Sequence, residues 1–262
     1  MTTRIFHISD VHFGVEDRAA LRRVELAIAQ ERPDALVCTG DITQRGKHSE
    51  YAAAAEWFES LKLPIILEPG NHDMPYYSPI ERFTDPYRRY RQLERQVGSA
   101  LSTDDVVLVS LKTTVRAQRR FPWSDGVVTR DALAQTLEQL GLLQGDPRHI
   151  IVTGHHPLLG PRSGSLPDPS SGAPDKTHNP TIGGDDAFAA IAAAGADAML
   201  TGHVHRPFDE MRESGGYKAR MIGSGTLSTR LRHGAPPSYR VISCTRGEEI
   251  TTELRELAAS PQ

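Results

Sequence analysis

RIFHISDVHFGVEDRAALRRVELAIAQERPDALVCTGD, residues 4–41, decides the fold class. Residues 4–9 read as a short strand that breaks at Asp10. Residues 18–30 read as a helix, with Leu21, Val24, Leu26 and Ile28 supplying much of its apolar face. Residues 35–39 form a second strand ending at Gly40-Asp41. Residues 49–61 follow as a helix, and 63–67 as a third strand ending at Gly70-Asn71. Alternating strand and helix predict an α/β chain.

Beyond residue 73 the rhythm breaks. Residues 74–100 scatter Pro75, Pro79 and Pro86 among tyrosines and arginines. Strands resume at 106–111 and 149–153, separated by a helix at 129–143. A Pro/Gly/Ser-rich stretch, 160–184, has little apolar pattern, and a loop of that length in a compact domain is usually functional or mobile. A helix at 185–194 and a strand at 196–200 lead to Gly202. Short strands at 208–212, 217–222, 239–244 and 249–254 then predict an antiparallel extension over 207–255. No repeat, long charge run or linker divides the chain, so a single domain over 1–262 is expected.

Composition narrows the function classes. The chain has 262 residues, of which 38% are hydrophobic, enough for a packed core. Thirty basic against 33 acidic side chains give a formal charge of −3, which offers no global case for a nucleic-acid coat but leaves room for a local basic patch. Cys38 and Cys244 are the only cysteines, too few for a disulfide scaffold or a Cys-rich zinc site. No apolar run approaches the roughly 18 residues of a membrane span, and the first residues lack a leader pattern. The expectation is a soluble cytoplasmic protein without a membrane partner.

The histidines carry the chemistry. Six of the eleven follow predicted strands in short motifs: Asp10-Val11-His12, Gly70-Asn71-His72-Asp73, Gly154-His155-His156-Pro157 and Gly202-His203-Val204-His205. Gly40-Asp41 ends a fifth strand. Loops at the carboxyl ends of strands in α/β sheets gather into one crevice. In extended backbone, the two-residue spacing of D-x-H and H-x-H would point both side chains the same way. A single such motif is more often a turn or a satisfied polar residue; His7, His48, His149, His178 and His233 read as ordinary. Five together have no comparable structural explanation. Imidazole with carboxylate and no thiolate suits zinc, manganese, iron or nickel. Two Asp, one Asn and four His exceed one tetrahedral shell and suit two ions about 3.5–4 Å apart, bridged by one carboxylate.

In order, these blocks span residues 10–205 and resemble the calcineurin-like metallophosphoesterases. The segments 7–10, 39–43 and 69–73 look most like the bacterial class III cyclic-nucleotide phosphodiesterase group, which includes glycerophosphodiesterases. The resemblance implies a four-layer αββα sandwich of two mixed β-sheets flanked by helices, the metallo-dependent phosphatase fold. It implies Asp10, His12 and His205 as ligands of one metal ion, Asn71, His155 and His203 as ligands of a second, and Asp41 as the bridge. The ligand stands two places before the proline, which selects His155 and leaves His156 behind the ligands or facing substrate. His72 would contact the phosphate and protonate the leaving oxygen, with Asp73 holding its other nitrogen.

The reaction so implied is hydrolysis of a small phosphodiester, such as a cyclic nucleotide, by metal-bound hydroxide. The ions would be manganese, iron or zinc, divalent or trivalent. Relatives closest to the cyclic-AMP enzymes often carry an arginine two places after the motif aspartate; Met74-Pro75 stands here, which points away from cyclic AMP. The alternatives are a nuclease-type enzyme acting on DNA, and a metal-binding interaction scaffold, which the intact ligand set disfavours. A homo-oligomer is compatible with the sequence. Segments 74–95 and 160–184 leave the site and are expected to form substrate-choosing walls, with Tyr76, Tyr77 and His178 available to a base or sugar. The cluster Arg82, Arg88, Arg89, Arg91 and Arg95 reads as a solvated helix face before a phosphate-binding patch.

Overall fold

The computed structural model describes residues 2–117, 124–160, 180–231 and 235–257. In chain order the elements are β1 (Thr3–Ile8), α1 (Arg18–Glu31), β2 (Ala35–Cys38), α2 (His48–Leu61), β3 (Ile65–Leu67), α3 (Pro79–Thr84), α4 (Arg88–Val97), β4 (Val106–Ser110), α5 (Arg130–Leu142), β5 (His149–Thr153), α6 (Gly184–Ala193), β6 (Ala198–Thr201), β7 (Phe208–Ser214), β8 (Tyr217–Gly223), β9 (Ser238–Cys244) and β10 (Thr251–Glu256).

The period of two in β1 creates the layers. Phe6 and Ile8 point to one face, where they pack with Val24 and Ile28 of α1, Ala54 and Phe58 of α2, and Tyr90 and Leu93 of α4. Ile5 points to the other and meets Val37, Ile151, Leu200, Ile222 and Ile242 in a layer between two sheets. A third apolar cluster joins Phe188 and Ile191 of α6 and Leu140 of α5 to Val152, Met199 and Met221 on the outer face of the second sheet. The result is a helix–sheet–sheet–helix sandwich. One sheet runs β10-β9-β1-β2-β3 and the other β4-β5-β6-β8-β7. Parallel pairs β1–β2, β2–β3, β4–β5 and β5–β6 direct their carboxyl ends to one edge. Helix caps follow local chemistry: the Asp17 carboxylate accepts from Ala19 and Ala20 N–H at 2.9 and 3.0 Å, and the Thr129 hydroxyl accepts from Ala132 N–H.

One expectation is corrected. The C-terminal strands are not one antiparallel extension: β9 and β10 join the first sheet, whereas β8 pairs parallel with β6 and antiparallel with β7 in the second. Residues 74–100, where the strand–helix rhythm breaks, hold α3, opened by Pro79 in its first turn, and α4.

The interior between the sheets is partly polar. Arg240 on β9 and Arg220 on β8 converge on Asp209 of β7, at 3.5 and 2.6 Å, and tie the sheets at one rim. Glu68, just past β3, accepts from Ser110 and Thr153 hydroxyls at 2.8 and 2.5 Å. Burial pushes the Glu68 carboxyl up to about 8.

Candidate metal centre

The five motifs stand at strand ends, and the sheet edge brings them together. Loops 10–13 and 40–42 are zipped by backbone bonds from Asp10 N–H to Gly40 O, His12 N–H to Asp41 O and Phe13 N–H to Ile42 O, at 2.8–3.0 Å. Gly202 N–H reaches across to His155 O at 2.9 Å. Gly40 fits because it has no side chain. At φ +90°, a Cβ there would lie 2.6 Å from His155 Nδ1 and 2.8 Å from Gly70 N.

Extended backbone is not what aligns the paired side chains. Asp10, His12, Asp41, His203 and His205 all have left-handed φ, between 50° and 69°. Among the described residues the only other non-glycine positions of this kind, Arg32 and Lys62, end helices. Left-handed backbone at non-glycine residues persists only where neighbours over-determine it, and it concentrates at functional sites.

Around Asp10, the Oδ2 atom accepts from His203 N–H at 2.8 Å, while Oδ1 is buried without a hydrogen-bond partner. Nε2 of His205 lies 3.2 Å from that oxygen and Nε2 of His12 lies 3.8 Å away. The two imidazole nitrogens stand 3.1 Å apart. His205 donates Nδ1–H to Arg230 O at 2.9 Å, so in the neutral ring its Nε2 offers a lone pair. Carboxylate oxygen and imidazole lone pairs thus face one another, an arrangement that a cation satisfies.

A second group lies beyond Asp41. His155 donates Nδ1–H to Thr39 O at 2.7 Å, turning Nε2 towards Asn71 Oδ1 at 3.2 Å and Asp41 Oδ1 at 3.4 Å. The other Asp41 oxygen, Oδ2, lies 3.7 Å from His12 Nε2. One carboxylate therefore faces both groups. Donor atoms of Asp10, His12 and His205 converge within 4.8 Å, as do those of Asp10, Asp41 and His155, and of His155, His156 and His203. The oxygen–imidazole donor set fits first-row ions in both groups.

Electrostatics agree with this. Burial opposes charge on Asp41, but the His155 and His72 imidazoles outweigh it and hold the carboxyl well below its ordinary range. Burial likewise opposes charge on Asp10, and His205 more than offsets it. Burial keeps His12 neutral, at about 3. His155 is the reverse: burial disfavours its proton, yet Asp41 raises it to about 9.

His72 sits beside these groups, its ring edge-on to His12 at 4.9 Å. Its Nδ1 is held by Gln44 O at 2.7 Å, not by Asp73 as expected. The Asp73 carboxylate instead accepts from Thr43 N–H, Thr43 Oγ1–H, Gly70 N–H and Ile42 N–H at 2.8–3.2 Å, pinning the two loops that present Asp41 and Asn71. His156 is buried with both ring nitrogens engaged, Nδ1 with Thr113 Oγ1 at 2.9 Å and Nε2 with Ser124 O at 3.0 Å. Its ring packs 4.4 Å from that of His203. His7 is also buried, bonded to Thr39 Oγ1 at 2.9 Å and held neutral by burial and by Arg240, at about 3. Gln44, Thr39 and Arg230, which orient three imidazoles, act through main-chain carbonyls and leave no side-chain signature in sequence. His178 and most of 160–184 lie outside the described residues.

Residues 3–207 match the family described as calcineurin-like phosphoesterase. The chain is 28% identical over 218 residues to a probable cyclic nucleotide phosphodiesterase of Pseudoalteromonas sp. (strain SM9913), covering 79% of this chain and 73% of that protein. It is 36% identical over 78 residues to the glycerophosphodiester phosphodiesterase GpdQ of Enterobacter lignolyticus (strain SCF1), covering 26% and 28%. In fold it is similar to the purple acid phosphatase PPD1 of yellow lupin seeds, with a TM-score of 0.61 at 11% identity, covering 98% of this chain and 52% of that one.

Proposed function

The chain belongs to the calcineurin-like phosphoesterase family and is a metal-dependent phosphoric ester hydrolase, and from that premise we propose that it hydrolyses a small phosphodiester at a dinuclear centre. The observation that carries this reading is Asp41, whose two oxygens face different imidazole groups at 3.7 and 3.4 Å. Asp10, His12 and His205 would hold one ion; Asn71, His155 and His203 would hold the other, with Asp41 shared. Ions there would supply hydroxide near neutral pH and neutralise the phosphoryl oxygens.

The chain's own residues do the rest. The Thr39 and Arg230 carbonyls hold Nδ1–H of His155 and His205, which turns Nε2 of each towards the proposed ions. His72 donates Nδ1–H to Gln44 O, so the doubly protonated ring would present Nε2–H to a phosphoryl or leaving oxygen. Asp73 holds the loops in register. His156 acts by packing behind His155 and His203 rather than through a free nitrogen, because both its nitrogens are engaged.

The relatives' names support a cyclic nucleotide or glycerophosphodiester type of substrate. The arginine cluster gives no case for DNA: Arg88 and Arg89 pair with Glu81, and Arg91 with Asp85. The proposal includes action as one domain in the cytoplasm; no helix among the described residues is long and apolar enough to cross a membrane.

Chelation followed by titration with manganese, iron or zinc tests the reading, using bis(p-nitrophenyl) phosphate. Turnover should vanish and return, saturating at two ions per chain. Full turnover after chelation, or saturation at one ion, would contradict it.

A further inference from the structure

Immediately outside His72 the surface changes character. Tyr76 and Tyr77 are 69% and 61% exposed, with rings edge-to-face at 5.1 Å. Surface tyrosines so placed bury little against their own protein, so their area is available to a ligand. Loop 44–47 fixes them next to the site. Gln44 O holds His72, Arg45 O accepts from Tyr76 N–H at 3.2 Å, and the Arg45 guanidinium bonds the Tyr77 hydroxyl and lies 5.5 Å from its ring centre. Lys47 Nζ lies 5.8 Å from the same ring. Gly46 lets this loop press on residues 74–75, since a Cβ there would meet Met74 O at 2.7 Å.

The tyrosines open onto a basic ridge. Tyr76 is an ionisable neighbour of half-buried Arg82, whose Nε donates to Arg116 O at 3.0 Å. Arg116 in turn donates to Phe83 O at 2.7 Å. The acidic groups of this region are already engaged: Glu50 by the Arg45 and Lys47 amides and, at 3.9 Å, by Lys47 Nζ, Glu81 by Arg88 and Arg89, and Asp85 by Arg91. Among the described residues, Arg45 and Arg116 have no carboxylate at ion-pair distance. Exposed rings beside Arg45, a cation with no carboxylate at ion-pair distance among the described residues, suit a ligand that brings both a flat aromatic base and negative charge.

Building on the phosphodiesterase reading, we propose that loop 44–47 and residues 76–83 form a nucleotide shelf, and that the substrate is a nucleoside diphosphate ester. Its base stacks on Tyr76 and Tyr77. One phosphate lies at the metal centre, while its second phosphate pairs with Arg45. A cyclic mononucleotide has a single phosphate and would leave that cation unused.

Two readouts on the manganese-loaded protein test this. Calorimetry gives the Kd for ADP, and steady-state assays give kcat/KM for ADP-ribose relative to bis(p-nitrophenyl) phosphate, which has no base. Tyr76→Ala/Tyr77→Ala should raise the ADP Kd about tenfold, the scale of base-on-aromatic stacking, and lower the kcat/KM ratio correspondingly. Arg45→Gln should shift both in the same direction. Tyr77→Phe, which keeps the ring, should stay near wild type in ADP affinity. ADP affinity and substrate ratio unchanged in the alanine and glutamine variants would overturn the shelf. The phosphodiesterase reading fails separately, if wild-type protein with manganese leaves bis(p-nitrophenyl) phosphate intact.

Discussion

His72 is bound to the chain through Nδ1 and Gln44 O, so its other nitrogen can serve the substrate without the ring turning. If it donates a proton, His72→Ala should lower kcat about 10²–10⁴-fold on an alkyl phosphodiester and much less on a nitrophenyl one, whose leaving group needs no acid. Metal content should stay near two ions. Equal losses on both esters would assign His72 to electrostatic positioning. Asp41 behaves differently: Asp41→Asn keeps the shape but removes the charge that faces both imidazole groups. Elemental analysis of that variant should find fewer than two ions per chain, and two tightly held ions would argue against a shared carboxylate.

At the scale of elements, the strand ends do the assembling. Gly40→Ala should destabilise the protein by more than about 1 kcal/mol and reduce metal content together, because it combines a left-handed φ with contact on His155 and Gly70. A variant with normal thermal stability and full metal content would contradict the packing described for that turn. Glu68, between β3 and the second sheet, gives a pH signature. Burial raises its carboxyl from 4.5 to about 8, so between those values the folded chain keeps a proton the unfolded chain has released. Its contribution to stability is present below about 4.5 and lost as pH rises to about 8. Glu68→Gln keeps a donor and an acceptor but has no proton to lose. The Tm of the variant minus that of wild type should therefore increase from pH 5 to pH 8.5, and a constant difference would contradict a buried neutral acid.

These elements also show where the sequence speaks. Residues 4–73 are legible because each strand is a short, mostly apolar run closed by a polar motif, Asp10-Val11-His12, Gly40-Asp41 or Gly70-Asn71-His72. The arginine cluster reads as a helix face, but the bounds of α4 are not legible, because of its ten residues only Tyr90 and Leu93 are buried, and arginines fill the spaces between. The split of the last four strands is invisible for another reason: β8 pairs with β6 through a long-range parallel register that hairpin spacing does not encode. At the site, side-chain donors are readable and the carbonyls of Gln44, Thr39 and Arg230 are not, since any residue supplies one. The left-handed backbone at Asp10, His12, Asp41, His203 and His205 is likewise unreadable from spacing alone.

For the whole molecule, the proposed centre would couple folding to metal uptake. The candidate centre holds two buried carboxylates, Asp10 and Asp41, and a group of imidazoles whose ring nitrogens face them, so ions should stabilise the folded chain. A ligand at a hundredfold excess over its Kd contributes about 2.7 kcal/mol, and chelation should lower Tm accordingly. Ion binding must also displace the proton that Asp41 favours on His155, raised to about 9. Metal affinity should accordingly rise with pH between about 6 and 9, with proton release measurable by calorimetry in buffers of different ionisation enthalpy. Affinity independent of pH in that range would contradict the assignment of His155. The central claim, two ions sharing Asp41, is tested most directly by anomalous diffraction from crystals grown with excess manganese. Two peaks should stand about 3.5–4 Å apart on either side of Asp41, one among Asp10, His12 and His205 and the other among Asn71, His155 and His203; a single peak, with Asn71 and His155 turned away from it, would contradict the account.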